Sequence, residues 1–330
     1  MALHPREGGL RIIIALVLAV TVCAPVRAND SSAELATGGL VFVRNPDVEM
    51  RAEDLFISAD EIRVRYRFFN NAPQDVTTLV AFPMPEIVID HYTNISIPTD
   101  DPENILGFTT LADGRPVATR VEQRVLAYGI DRTELLRSLG IPLAPHLRDT
   151  TEALGRLPEP ARQQLLRLGL GEIEEYDSGE GMKKHLEPRW ALQTTHYWEQ
   201  TFPSRRELVI EHRYKPSVGT FVGTEAETAE HRKRYCIDRD LLRTLERARR
   251  AAPSDFLPFS DQRIEYILTT GANWSGPIRE FRLVVDKGDP RNLVSFCGDS
   301  VKKIGPTQFE MRKNDFTPDR NLYVLILKRN

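Results

Sequence analysis

Two histidines and two glutamates lie close together in one short stretch of this sequence. His196 and Glu199 precede a break at Pro203, and Glu211 and His212 follow it. Imidazole and carboxylate groups are the side chains from which zinc sites and acid–base pairs are built. The first question is whether the backbone can bring these four groups together.

The alternation of side chains predicts that residues 194–214 form a β-hairpin. Trp198 lies on the same strand face as His196, and Ile210 lies on the same face as His212. When the apolar faces are matched across the turn, Trp198 pairs with His212, and the two histidines become diagonal neighbours roughly 7–8 Å apart. Glu199 and Glu211 then lie on the opposite face, so the hairpin alone cannot form a mixed His–Glu site.

This geometry leaves two interpretations. A metal-dependent hydrolase could use His196 and His212 as zinc ligands, with a third ligand from elsewhere in the fold. In the structural interpretation, His212 packs beside Trp198 and hydrogen-bonds within the core. We expect the structural interpretation, and therefore no catalytic residue, metal or cofactor. The sequence also lacks a phosphate-binding loop, a dinucleotide-binding glycine motif and a G-x-S-x-G nucleophile motif.

The first 28 residues have the pattern of a secretory signal peptide. Arg6 and Arg11 precede a short apolar run at residues 12–22, and Val26 and Ala28 are the small residues of a cleavage site. We expect cleavage after Ala28 and a periplasmic location.

Two alternatives to this cleavage are an uncleaved membrane anchor and a lipid-modified Cys23. The apolar run has about 11 residues, whereas a membrane span needs roughly 20. Val22 is also a poor match to the small residue expected before a lipid-modified cysteine. We therefore expect no membrane span once the signal peptide is removed.

Cysteine content agrees with an exported protein. After removal of Cys23, only Cys236 and Cys297 remain, an even pair in an oxidising compartment. We expect them to form a disulfide, the alternative being two buried thiols that do not meet.

The charge balance excludes one class of partner. Without residues 1–28 the chain has 41 basic and 46 acidic side chains, a formal charge of −5. No long basic run is present, so we expect no binding to nucleic acid.

Most of the sequence has the period of β-strands. In EIRVRYRFF, apolar residues at 62, 64, 66 and 68 alternate with arginines, which is typical of a half-buried strand. Asp113-Gly114 between two extended runs predicts a hairpin turn. Residues 29–130 are therefore interpreted as an N-terminal β-sandwich.

The period changes after residue 130. Residues 131–188 contain short helical patterns that start at Asp131, and we interpret them as a helical insert or linker. Residues 189–330 are again β-rich, with one helix at 238–251 capped by Asp238. The predicted fold is mainly β, α+β overall, with two antiparallel sandwich-like parts on either side of the insert.

One loop is a candidate contact surface. TTGANWSGPI places Trp274 among glycines and a proline, where a turn is expected. An exposed tryptophan there could stack on a ligand or partner, whereas a buried one would cap the sandwich.

Several segments of the chain resemble the motifs of a bacterial exported family called domain of unknown function 4424. These segments are NDSSAELATGGLVF, EDLFIS, VAFPMP, YWEQTFP, HRYKPSVG, TTGANWSGPI and SFCGD. The resemblance extends from Asn29 to the C-terminus and is weakest in the helical insert. It implies an exported, periplasmic bacterial protein and provides no catalytic residues, because the family has no established activity.

These observations favour a binding or interaction module of the bacterial envelope over an enzyme. Its partner is expected to be an envelope protein, a peptide or a glycan. The alternative is the periplasmic metal-dependent hydrolase with His196 and His212.

Overall fold

The computed structural model describes residues 30–36, 39–89, 94–177, 179, 181–252 and 257–330. The predicted signal peptide, with Cys23 and the cleavage position after Ala28, lies outside the described residues. Strands make up 47% of the structure and helices 16%, which confirms a β-rich α+β fold.

The regular elements are numbered here in chain order. The strands are β1 Ser31–Ala36, β2 Gly39–Val43, β3 Val48–Ile57, β4 Ile62–Asn70, β5 Val76–Pro83, β6 Ile87–Val88, β7 Asn94–Ser96, β8 Thr109–Ala112, β9 Arg115–Pro116, β10 Arg120–Ala127, β11 Ile130–Asp131, β12 Gly171–Asp177, β13 Met182–Pro188, β14 Ala191–Phe202, β15 Glu207–Tyr214, β16 Val218–Phe221, β17 Phe259–Tyr266, β18 Ile278–Asp286, β19 Leu293–Phe296, β20 Lys302–Lys303, β21 Gln308–Phe316 and β22 Leu322–Arg329. The helices are α1 Thr133–Ser138, α2 Arg148–Gly155, α3 Glu159–Arg167, α4 Ala229–Arg234 and α5 Arg239–Ala251, with a 3₁₀ turn at Thr269–Asn273.

Within the described residues, the strands form three large sheets and a separate hairpin of β12 and β13. The seven-stranded sheet has the order β11-β10-β14-β5-β1-β2, with β6 also paired to β14. The eight-stranded sheet has the order β20-β21-β18-β3-β4-β15-β8-β9, and the five-stranded sheet has the order β19-β22-β17-β16-β7.

Local sequence explains several of these elements. The alternation in EIRVRYRFF gives β4, whose apolar side chains are buried while Arg63 and Arg65 are exposed. Asp113 and Gly114 both have positive φ, 46° and 75°, as the tight turn between β8 and β9 requires. Asp238 caps α5 by accepting a hydrogen bond from the Leu241 amide, as predicted.

One large core lies among the three sheets. Its residues include Val80 of the seven-stranded sheet, Leu55 of the eight-stranded sheet and Val324 of the five-stranded sheet. The five-stranded sheet also buries its other face, because Leu325 and Leu327 pack in a second cluster with α5. Burial on both faces explains the continuous apolar run of β22.

The β-rich parts predicted at residues 29–130 and 189–330 share these sheets. β3 pairs in parallel with β18, and β5 pairs with β14. The predicted insert, residues 131–188, adds helical leucines to the same core. It also contains the β12–β13 hairpin, where Arg189 forms ion pairs with Glu172 and Glu174.

Cys236 and Cys297 form a disulfide, as predicted, with their Cα atoms 5.0 Å apart. The bond joins the segment between α4 and α5 to the end of β19. Among the described residues, no helix has the length and apolar character needed to cross a bilayer.

Candidate functional site

The strands β14 and β15 do not form the hairpin predicted at residues 194–214. β14 pairs with β10 and β5, whereas β15 pairs with β4 and β8 in a different sheet. The connection contains Pro203 and has Arg205 at a φ of 52°. It carries the chain from one sheet to the other, so the two apolar faces meet across the core. The predicted strands are correct, but the predicted pairing of Trp198 with His212 is wrong.

His212 is a core residue with both ring nitrogens in hydrogen-bonding contact. Its Nε2 lies 2.9 Å from Asp30 Oδ1, and its Nδ1 lies 3.1 Å from Thr110 Oγ1. The side chains of His212 and Asp30 have no solvent exposure. Trp198 packs edge-on against the imidazole at a centroid distance of 5.4 Å. These contacts match the structural interpretation of His212.

His196 enters the same core from the seven-stranded sheet. Its Nδ1 lies 3.3 Å from Thr119 Oγ1, and only 1% of the residue is exposed. Phe108 packs against both imidazoles, with centroids 4.4 Å from His196 and 4.9 Å from His212. Burial, and to a smaller extent His212, lowers the pKa of His196 to about 4, whereas Asp101 acts in the opposite direction. The imidazole is therefore neutral at pH 7.

Asp30 connects this cluster to Trp274. The Trp274 indole Nε1 donates a hydrogen bond to the Asp30 carbonyl oxygen, and the indole has 0% exposure. Its ring packs against Phe68 at 4.7 Å and Phe202 at 5.6 Å. Trp274 thus caps the core from within, and the structure does not present it as an exposed contact surface. Burial raises the pKa of the Asp30 carboxyl, and His212 partly opposes this shift.

A surface that was not predicted from the sequence lies on the solvent side of the eight-stranded sheet. Two rows of residues cross six neighbouring strands, from β21 through β18, β3, β4 and β15 to β8. We call these twelve residues the outer face: Arg312, Arg282, Asp54, Arg65, Glu211 and Leu111 in the first row, and Glu310, Val284, Phe56, Arg63, Arg213 and Thr109 in the second.

Most of the outer face lines a groove of about 700 Å³. Phe56 and Leu111 supply apolar surface there, above the buried Val284, and the Arg63 guanidinium lies 4.4 Å from the Phe56 ring centroid. The arginines of EIRVRYRFF were the local signal for this surface. Their partners on other strands could not be assigned from that segment alone.

Ion pairs fix the charged side chains of the outer face. Arg65 binds Glu211 at 2.8 Å, and Arg282 binds Asp54 at 3.0 Å and Glu310 at 2.7 Å. Hydrogen bonds from Arg312 and Arg282 lower the pKa of Glu310 to about 2. The outer face therefore presents paired charges of both signs.

The described residues contain two groups with the composition and spacing of a metal site. One comprises Glu225, His231 and Asp261, and the other comprises Glu174, His185 and Glu187. Neither group includes His196 or His212, the two histidines considered from the sequence.

Comparisons with known proteins are consistent with the resemblance noted in the sequence. No curated protein matches the chain. One matching solved structure is a protein of Legionella pneumophila subsp. pneumophila str. Philadelphia 1 described as a "putative nutrient binding protein". The two sequences are 15% identical with a TM-score of 0.46, and the match covers 91% of this chain and 70% of the other. The family described as Domain of unknown function (DUF4424) matches residues 28–325, so this chain belongs to the DUF4424 family.

Proposed function

We propose that this chain is an exported, periplasmic envelope protein that binds a ligand on its outer face and catalyses no reaction. The signal-like pattern of residues 1–28 and the Cys236–Cys297 disulfide support export. The groove on the outer face is the single observation that supports binding at this surface.

The groove combines the two features that ligand sites need. Phe56 and Leu111, both half-buried, provide apolar contact area, and the surrounding charged groups provide orientation and specificity. Exposed ion pairs contribute only about 0–1 kcal/mol each to stability. Arg65 and Glu211 have side chains that are 52% and 39% exposed. Their ion pair can therefore break, and either side chain can bind a ligand group instead, at little cost in free energy.

The charge of this surface indicates the class of ligand. The outer face has five arginines against three carboxylates, and Glu61 beside it binds both Arg63 and Arg213, which leaves a formal charge of +1. The predicted mature chain has the opposite sign, with a formal charge of −5. Complementarity therefore favours a ligand with carboxylate groups, whether a segment of an envelope protein, a peptide or a glycan.

Hydrolysis by a metal ion on His196 and His212 receives no support from the geometry. The His212 ring nitrogens contact buried Asp30 and Thr110, and His196 Nδ1 contacts the half-buried Thr119.

Site-specific photo-crosslinking in cells tests the binding surface. A photoreactive phenylalanine analogue at Leu111 lies in the groove. The same analogue at Tyr128, which is 88% exposed in the turn between β10 and β11, is the control. We expect a discrete adduct from Leu111 and none of the same mass from Tyr128. Identical products at both positions, or no product at Leu111, would refute the proposal.

A charge variant tests whether the arginines recognise the ligand. Arg65→Ala should reduce the Leu111 adduct while changing the free energy of unfolding by no more than about 1 kcal/mol. Arg320→Ala removes a comparable exposed ion pair with Asp319 outside the groove and should leave the adduct unchanged. Export is tested separately by the intact mass of envelope protein, which should begin at Asn29.

A further inference from the structure

The second β-rich part brings three metal-ligating side chains together from separate elements. Glu225 precedes α4, His231 lies within α4, and Asp261 lies on β17. One ligand atom from each of the three lies within 4.8 Å of the others. His231 and Asp261 are buried, and Glu225 is half-buried.

The hydrogen bonds of His231 leave one ring nitrogen directed at the cluster. Its Nδ1 lies 3.0 Å from the hydroxyl of Thr228, the N-cap residue of α4. Its Nε2 lies 3.5 Å from Glu225 Oε2 and has no hydrogen-bond partner within the described part of the chain.

Asp261 provides a second, independent indication of a ligand. The residue has 0% exposure, and its Oδ1 lacks a hydrogen-bond partner among the residues that the structure describes. The other oxygen, Oδ2, accepts hydrogen bonds from Arg263 at 2.9 Å and from the Glu225 amide at 3.3 Å. A buried carboxylate oxygen without a partner is costly, and a bound cation would satisfy it.

Arg263 orients the two carboxylates without neutralising them completely. Its Nη2 donates to Glu225 Oε2 at 2.7 Å as well as to Asp261. The two carboxylates outnumber the one guanidinium, so the cluster attracts a divalent cation. Polar groups that hold metal ligands in place commonly take this supporting position.

We propose that Glu225, His231 and Asp261 bind a divalent transition metal ion, with Zn²⁺ as the test ligand. One imidazole and two carboxylates form a borderline donor set that zinc accepts, and three protein ligands leave a coordination position for solvent. The ion would join α4 to β17 next to the Cys236–Cys297 disulfide. Its expected role is to stabilise the packing of this helix on the five-stranded sheet.

Metal titration of the purified, disulfide-intact chain tests this proposal. The protein is treated with a chelator, transferred to metal-free buffer and titrated with Zn²⁺ by calorimetry. We expect one ion per chain and a higher melting temperature when Zn²⁺ is present. Co²⁺ should give visible absorption bands from the same site. Failure to bind either ion with a Kd below about 1 mM would overturn the proposal.

Variants locate the site within the chain. His231→Gln and Asp261→Asn should each weaken Zn²⁺ binding by at least about tenfold, since each removes a direct ligand. His185→Gln changes the other candidate group in the same way and is the matched control, for which we expect unchanged affinity. Binding that survives both ligand variants, or that is lost in His185→Gln alone, would refute the assignment. If Asp261→Asn fails to fold, His231→Gln and the cobalt spectrum decide the question.

Discussion

Replacing His196 by Asn should remove a large part of the acid sensitivity of this protein. Burial lowers the pKa of His196 from 6.5 to about 4 in the folded chain. Between these values the unfolded chain binds a proton that the folded chain does not bind. The free energy of unfolding therefore has its full value above about pH 6.5 and falls as the pH decreases towards 4.

The size of this effect follows from the shift. A difference of about 2.5 pKa units, at 1.36 kcal/mol for each unit, is worth about 3 kcal/mol. Most of it, about 2–3 kcal/mol, is lost between pH 7.5 and pH 4.5. Asn retains a polar atom near the position of Nδ1, so it can keep the contact with Thr119 while it removes the titrating ring.

The assay is urea unfolding followed by tryptophan fluorescence at about pH 7.5 and about pH 4.5. His196→Asn should be less stable than the unmodified chain at pH 7.5, because it loses the ring contact with Phe108. The difference between the two proteins should shrink by about 2–3 kcal/mol at pH 4.5. Titrating groups that do not interact with His196 contribute equally to both proteins and cancel from this comparison.

Phe281→Leu is the matched control, because it removes a buried ring of the eight-stranded sheet that packs against Phe316 and has no titrating group. Its destabilisation should be the same at both pH values. A stability difference between His196→Asn and the unmodified chain that does not depend on pH would refute the assignment of this acid sensitivity to His196.

Three further changes test the core and its covalent link. His212→Ala should lower the free energy of unfolding by about 3–5 kcal/mol, because it leaves Asp30 buried without its partner. A double variant with Asp30→Asn should lose less stability in urea unfolding than the sum of the two single changes. Trp274→Ala should cost about 3–5 kcal/mol, whereas a change within about 0.5 kcal/mol would indicate an exposed side chain. Replacing Cys236 and Cys297 by Ala should lower the free energy of unfolding by about 4 kcal/mol, since the bond closes a sequence separation of 61 residues; an unchanged unfolding midpoint would contradict this.

The sequence alone determined the features that depend on a few neighbouring residues. Alternation identifies β4, because successive side chains of a strand lie on opposite faces. The Asp113-Gly114 turn follows from backbone conformations that these residues adopt readily, and Asp238 marks the start of α5. The disulfide could be predicted because only two cysteines lie outside the predicted signal peptide.

Only the tertiary structure decided which strands pair and which distant side chains meet. Alternation shows which face of β14 and β15 is apolar. These apolar faces can be buried together whether the two strands pair in one sheet or lie in two sheets that pack across a core. The entropy lost in closing a loop grows only slowly with loop length, so strands that are close in sequence have only a small advantage over distant ones. The short connection between β14 and β15 therefore did not make them pair. For the same reason β3 pairs with β18, more than two hundred residues later in the chain. The groove on the outer face and the convergence of Glu225, His231 and Asp261 result from such distant pairings and packing, which no local pattern encodes.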